Sequence, residues 1–250
     1  MPDIVVHRSM GESVYKRLEL NLNMDVFAFG LLGPDPFLFY RFYLPPFRHR
    51  INRYSSVMHR ERTGDFLTEL AKGSQRVDEF SYLSGFLCHY ALDSTTHPYI
   101  IEKANHSSAM HLAIEHRLDI MDGGEIRIPP FLPCSMKGCI SCAIGRVYGW
   151  PDAWEALEQG YRDMTPFYRI VEDKTGMLDK AFGWTKRAPA MLSYNSHICD
   201  DMDLSGFWTL YDQAIEDAVN YIRAAKAFVL GDIEEPSFRT VIGNRSYIDG

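Results

Sequence analysis

Five of the nine histidines in this chain stand in order with three carboxylates, as His7, Asp35, His59, His89, Asp93, His97, His111 and Glu115. In the stretch HYALDSTTHPYI, His89 and Asp93 are four apart, and in the following HLAIE, His111 and Glu115 repeat that spacing. Residues four apart on a helix are displaced by only about 40° around its axis, so each pair presents two ligand atoms from one face. Pro98 disfavours the α conformation at His97, which places this histidine at a break between two helices with its ring turned back toward the pairs. Imidazole combined with carboxylate suits zinc, a borderline ion, whereas an all-oxygen set would suit magnesium or calcium; copper and iron compete on affinity alone. A lone histidine on an apolar helix is usually a satisfied core residue. Two His/carboxylate pairs separated by a third histidine reverse that expectation.

This ordered set resembles that of the zinc-dependent phospholipases C, which share an all-helical fold and a three-zinc cluster with the fungal single-strand nucleases. The ligands of that family run His, Asp, His, His, Asp, His, His, Glu. Its H-x-x-x-D pair matches His89 and Asp93, its next histidine matches His97, and its H-x-x-x-E pair matches His111 and Glu115. Asp35 in GPDPF, His59 in VMHRER and His7 in DIVVHRSMG are similar in order and setting to the remaining ligands. The resemblance implies an all-α, single-domain, multi-helix phospholipase C/nuclease-like fold around a zinc cluster of two or three ions. It implies one zinc at Asp35, His59, His89 and Asp93, a second at His97, His111 and Glu115, and a third that Asp93 bridges to His7. The family completes its third site with an amino-terminal tryptophan. Here the sequence begins Met1-Pro2-Asp3 and has no tryptophan before Trp150, so the expected substitute is the amine of Pro2 after removal of Met1.

Clustered zinc ions lower the pKa of bound water, offset the charge of a phosphodiester and clamp its attacking and leaving oxygens. The expected function is therefore phosphodiester hydrolysis of phospholipase C type, acting on a phospholipid or a small phosphate ester. Asp35 is the expected catalytic residue, accepting the water's proton as the resembling family's aspartate does at this place. The set at His97, His111 and Glu115 is expected to stabilise the leaving oxygen. A phosphomonoesterase or nuclease on the same scaffold is one alternative, and a zinc-binding protein without catalysis is the other. The net charge of -7 argues against a broad nucleic-acid-binding surface.

The elements that must position these residues read as helices in a single domain over residues 1–250. With 46% hydrophobic and 24% charged residues, a chain of this length buries one sizeable core. Helices are expected over 9–21, 24–32, 56–72 with His59 in the first turn, 77–94, 107–121 capped by Ser107 or Ser108, 151–174 and 205–230. Asp35 falls on a turn after Gly33-Pro34. The segment 123–150 reads as irregular and the tail from 236 to 247 as extended. The aromatic-rich stretch FAFGLLGPDPFLFYRFYLPPF reads first as buried core and second as an apolar pocket wall. Asp119, one turn past Glu115, is expected to orient a ligand. His197 is a lone further candidate. Cys134, Cys139 and Cys142 lack the spacing of a structural zinc set and read as ordinary reduced cysteines, which together with the lack of a secretory leader suggests a cytoplasmic protein. Pro34, Asp35, Pro36 and Arg41 interrupt the most apolar run, so no transmembrane segment is expected.

Overall fold

Residues 77–103 carry bulky apolar side chains on every face, including Tyr82, Leu83, Phe86, Leu87, Tyr90 and Leu92, all buried. A helix apolar all round has to lie inside the others. In the computed structural model, which describes residues 4–43, 50–171 and 199–248, this helix is the axis of the molecule. His49 and His197 lie outside the described residues.

The helices run α1 (Ile4–Lys16), α2 (Met24–Gly30), α3 (Asn52–Met58), α4 (Thr63–Gly73), α5 (Val77–Lys103), α6 (Ser108–Asp122), α7 (Lys137–Tyr148), α8 (Ala153–Val171), α9 (Ser205–Leu230) and α10 (Glu235–Ile242). Short 3-10 turns occupy Asp35–Phe39 and Cys134–Met136, and no strand occurs among the described residues. The fold is all-α. α5 packs against α2 and α9, α1 rests on α5, α6 and α9, and α8 covers the 3-10 turn at Asp35. No helix among the described residues is long and apolar enough to cross a membrane.

Local signals set several boundaries. The Ser107 side chain accepts from the Met110 amide at the start of α6, and Gly123 ends that helix in the left-handed conformation, φ 74°. Gly231 ends α9 in the same way.

Elsewhere tertiary contacts override the local signal. α1 begins at Ile4 instead of residue 9, because Asp119 on α6 accepts from the Val6 amide at 3.0 Å and supplies the acceptor that the first turn lacks. The expected helix over 56–72 is two helices, with Arg62 between them at φ 57°. The start of α4 is held from far away, where Asn244 Oδ1 accepts from the Gly64 amide at 2.9 Å and the Thr63 hydroxyl donates to the Arg245 carbonyl at 2.7 Å. α5 also continues through Pro98. The proline removes one main-chain hydrogen bond, but buried Thr96 and Ile100 on either side, and α9 packed along the helix, offset that loss.

Much of the segment expected to be irregular is α7, whose Ile140, Ala143, Ile144 and Val147 form a buried helical stripe continued by Met136 of the preceding 3-10 turn. Cys134 opens the second 3-10 turn, and Cys139 and Cys142 lie on α7. The tail expected to be extended instead forms α10, and past Gly243 it leaves regular structure and turns at Tyr247 and Ile248. In the aromatic-rich stretch, Phe27, Phe29, Phe37 and Phe39 are buried in the core.

α2 and α5 cross with main chains in contact. A Cβ on Gly85 would stand 2.1 Å from the Phe27 carbonyl oxygen, which a backbone atom cannot yield without moving the helix. Gly85→Ala is therefore expected to lower stability by about 1–3 kcal/mol, the usual cost of overpacking a filled interior. Thermal unfolding measures it, and an unchanged melting temperature would contradict the close crossing.

Candidate metal centre

α5 carries His89, Asp93 and His97 on successive turns, so all three project along one stripe. The break expected at His97 does not occur. The same geometry that pairs His89 with Asp93 is simply repeated once more along the continuous helix. Around this stripe, α1 brings His7 from its first turn, the turn after Gly33-Pro34 brings Asp35, the end of α3 brings His59, and α6 brings His111 and Glu115. All eight residues singled out in the sequence thus meet at one place.

Asp93 stands at the centre and its two oxygens face different neighbours. Oδ1 is 3.1 Å from His7 Nε2. Oδ2 is 3.2 Å from His89 Nε2, 3.5 Å from His59 Nε2 and 3.7 Å from His97 Nδ1. Asp35 lies 3.2 Å from His59 Nε2 through Oδ1 and 3.8 Å from His89 Nε2 through Oδ2. Glu115 Oε1 meets His111 Nε2 at 2.9 Å and His97 Nε2 at 3.4 Å. Three groups of ligand atoms result: His7, His89 and Asp93; Asp35, His59 and His89; and His97, His111 and Glu115.

Main-chain carbonyls fix three of the rings. His89 Nδ1 lies 3.1 Å from the Leu31 oxygen, His59 Nδ1 2.8 Å from the Ser55 oxygen, and His97 Nδ1 2.9 Å from the Tyr247 oxygen. A carbonyl oxygen can only accept, so Nδ1 donates in each ring and carries the proton. In the neutral ring each Nε2 is then a lone pair aimed at carboxylate oxygens. Gly33, at φ 53°, holds the His89 ring from behind, and a Cβ there would fall 2.2 Å from Cδ2 of that ring.

The donor set fits a metal. His89 Nε2 is fully buried and has no hydrogen-bond partner, although Asp93 Oδ2 is only 3.2 Å away. Two acceptors so close together repel unless a cation lies between them. Imidazole nitrogens beside carboxylate oxygens are the ligands zinc takes. Hydrogen bonds from the free ring nitrogens to main-chain carbonyls are the usual support of histidine ligands, fixing tautomer and orientation.

The electrostatics of the protein without an ion show the same demand. Burial lowers the pKa of His59, but hydrogen bonds and charge from Asp35 and Asp93 outweigh it and carry the ring up to about 10. Burial alone would raise Asp93, yet the surrounding His89, His97 and His7 hold it well below the usual carboxylate range. Without a metal the cluster retains a proton in its place, and an ion entering the site has to expel it.

Three contributors were not legible in the sequence. Tyr247 reaches the site from the far end of the chain. Leu31 and Ser55 act through main-chain oxygens, which no residue type reveals. Asp119, expected to orient a ligand, does so indirectly by holding the α1 turn that carries His7. A cleft of about 140 Å³ opens on the cluster from the side of Asp35, His59, His97 and His111, walled by Leu38, Ser55, Ser56, Arg60 and Ile248. Arg60 is exposed at its edge, one residue past His59.

A pH dependence follows for protein stripped of metal by a chelator. The folded-state pKa of His59, about 10, lies above its ordinary value of 6.5, so its stabilising contribution is complete below about pH 6.5 and is lost as the pH rises through 10. Asp93 and Glu115, both lowered, act in the opposite sense and lose their contribution on acidification below the ordinary carboxylate range. Melting temperatures of the stripped protein should fall between pH 6.5 and 10, and His59→Gln should flatten that fall. An equal fall in wild type and variant would place the titration elsewhere.

A family model described as zinc-dependent phospholipase C matches residues 6–134, more than half of the 250-residue chain. The match spans His7, Asp35, His59, His89, Asp93, His97, His111 and Glu115. No curated protein and no solved structure matches the chain. With its all-helical fold and the buried His/Asp/Glu groups just described, the chain belongs to the zinc-dependent phospholipase C family.

Proposed function

We propose that this protein is a zinc-dependent phosphodiester hydrolase of phospholipase C type, acting on a phospholipid or a smaller phosphate ester. The observation that carries this reading is Asp93, a buried carboxylate with imidazole nitrogens facing both of its oxygens. On this reading Asp35, His59, His89 and Asp93 hold one ion, and His97, His111 and Glu115 hold a second. His7, which faces Asp93 Oδ1 while His59 and His89 face Oδ2, supports a third ion bridged by Asp93. Pro2, whose amine would complete that site, lies outside the described residues. Because Tyr247 and Ile248 stand at a cluster built from residues 7–115, we read residues 1–250 as one domain.

Zinc held here would supply positive charge against the phosphodiester and a water acidified enough to attack at neutral pH. The chain's own groups divide the remaining work. Asp35 lines the open cleft and would accept the attacking water's proton. His97 of α5, with His111 and Glu115 of α6, would hold an ion whose charge offsets that of the leaving oxygen. Arg60, at the cleft edge, is placed to bind a non-bridging phosphate oxygen, while Leu38 and Ile248 accommodate an apolar substituent. The small cleft and the net charge of -7 favour a compact ester over a nucleic acid. A phosphomonoesterase on the same scaffold remains the second reading, since Arg60 would also suit a dianionic phosphate.

Elemental analysis of protein purified without chelator should find at least two zinc ions per chain. A panel of chromogenic phosphodiesters, phosphomonoesters and a short-chain phospholipid should show diester cleavage that chelator abolishes. His89→Ala, Asp93→Ala, His111→Ala and Glu115→Ala should each lose metal or activity. Zinc without hydrolysis of any ester in the panel would leave a binding protein. Arg60→Ala should raise KM about 10-fold or more with zinc content unchanged, as expected for loss of a charge-assisted hydrogen bond. An unchanged KM would remove Arg60 from the site.

A further inference from the structure

The segment after α10 lies outside the matched stretch of 6–134, yet it is tied into the cluster more tightly than a tail requires. Tyr90, on the central helix, donates its hydroxyl to the Ile242 carbonyl at 2.8 Å and accepts from the Arg245 amide at 3.0 Å. Asn244 and Arg245 hold the start of α4, as described above. These contacts deliver Tyr247, which is 1% exposed, to the middle of the ligand set. Its amide donates to the His59 carbonyl at 2.6 Å, and its carbonyl accepts from His97 Nδ1 at 2.9 Å. Its ring packs on His59 at 5.0 Å and on His89 at 5.7 Å between centroids. One residue therefore touches three histidines from three directions.

We propose that Tyr247 is a positioning residue of the zinc cluster, its main-chain carbonyl fixing His97 as the Nδ1–H tautomer while its amide and ring lock His59 and His89. The inference rests on the reading of these histidines as ligands. His97 has two nitrogens near carboxylates, Nδ1 at 3.7 Å from Asp93 and Nε2 at 3.4 Å from Glu115, so its ring alone does not select which group of ligands it joins. The Tyr247 carbonyl makes that selection. By occupying Nδ1 it withdraws His97 from Asp93 and commits Nε2 to Glu115 and His111. The central ion is thereby left to Asp35, His59, His89 and Asp93. In this way the end of the chain separates two sites that share one helix face.

The test compares the full chain with a chain ended at Ser246, one ended at Ile248, and Tyr247→Ala. Zinc affinity is read by competition with a chromogenic chelator, helicity by circular dichroism, and the histidine tautomers by long-range nitrogen–proton correlation spectra of labelled protein. The chain ended at Ser246 should bind its weaker zinc about 10- to 100-fold less tightly, the usual effect of removing a group that orients a ligand. Tyr247→Ala keeps the carbonyl and should retain the His97 tautomer with a smaller loss, and the chain ended at Ile248 should match the full chain. If the chain ended at Ser246 does not fold, the spectrum of the full chain decides, with zinc or, at alkaline pH, without it. A His97 proton on Nε2, or zinc affinity unchanged by ending the chain at Ser246, overturns the proposal. A full chain that takes up no zinc defeats the hydrolase reading instead, and the metal-free spectrum still judges Tyr247.

Discussion

A carboxylate buried among imidazoles on the inner face of the central helix is the constraint to which the rest of the structure answers. Asp93 is 3% exposed, so its charge is cut off from bulk water. An uncompensated buried charge costs on the order of several kcal/mol. The fold meets that cost by surrounding the carboxylate with His7, His59, His89 and His97 from α1, α3 and α5. Each element has to arrive in register, because a ring displaced by an ångström no longer shares an ion with its neighbours. This explains why contacts near the cluster act on helix ends, as the Asp119 cap on α1 and Asn244 at the start of α4 do, and why Gly33 backs the His89 ring.

Stability and chemistry are therefore linked at one point. Lone pairs on buried nitrogens directed at carboxylate oxygens repel each other, and either a proton or a metal has to lie between them. With a proton the cluster is a hydrogen-bonded charge network; with zinc the same atoms would become ligands of a metal site. Metal binding then stabilises the helices that meet there, since the unfolded chain does not assemble the set. The open side of the cluster, toward Arg60 and Leu38, is where a substrate has room.

His89, Asp93, His111 and Glu115 were legible in the sequence because His-x-x-x-Asp and His-x-x-x-Glu have geometric meaning on any helix, whereas His7, Asp35 and His59 were legible only through the resemblance to the family's ligand order. The long helices, and the caps at Ser107, Gly123 and Gly231, were equally readable, since they depend on neighbours within a few positions. Pro98 misled for a related reason. Its local preference is real, but α9 and the buried residues on either side hold the helix together through it. α7 was obscured by the glycines and cysteines around its apolar stripe, although Met136, Ile140, Ile144 and Val147 carried the helical period.

What the sequence by itself determined is the all-helical class and the two His/carboxylate pairs, because these follow from side-chain type and short-range spacing; the wider set of candidate ligands and the class of chemistry came from the resemblance to the zinc-dependent phospholipases C. What only the tertiary structure decided is which nitrogen of each ring faces the centre, where α1 and α4 begin, and that residue 247 belongs to a site whose last ligand is residue 115. Those features depend on main-chain oxygens and amides, which are the same in every residue. Their roles appear only when folding brings distant segments within hydrogen-bonding distance.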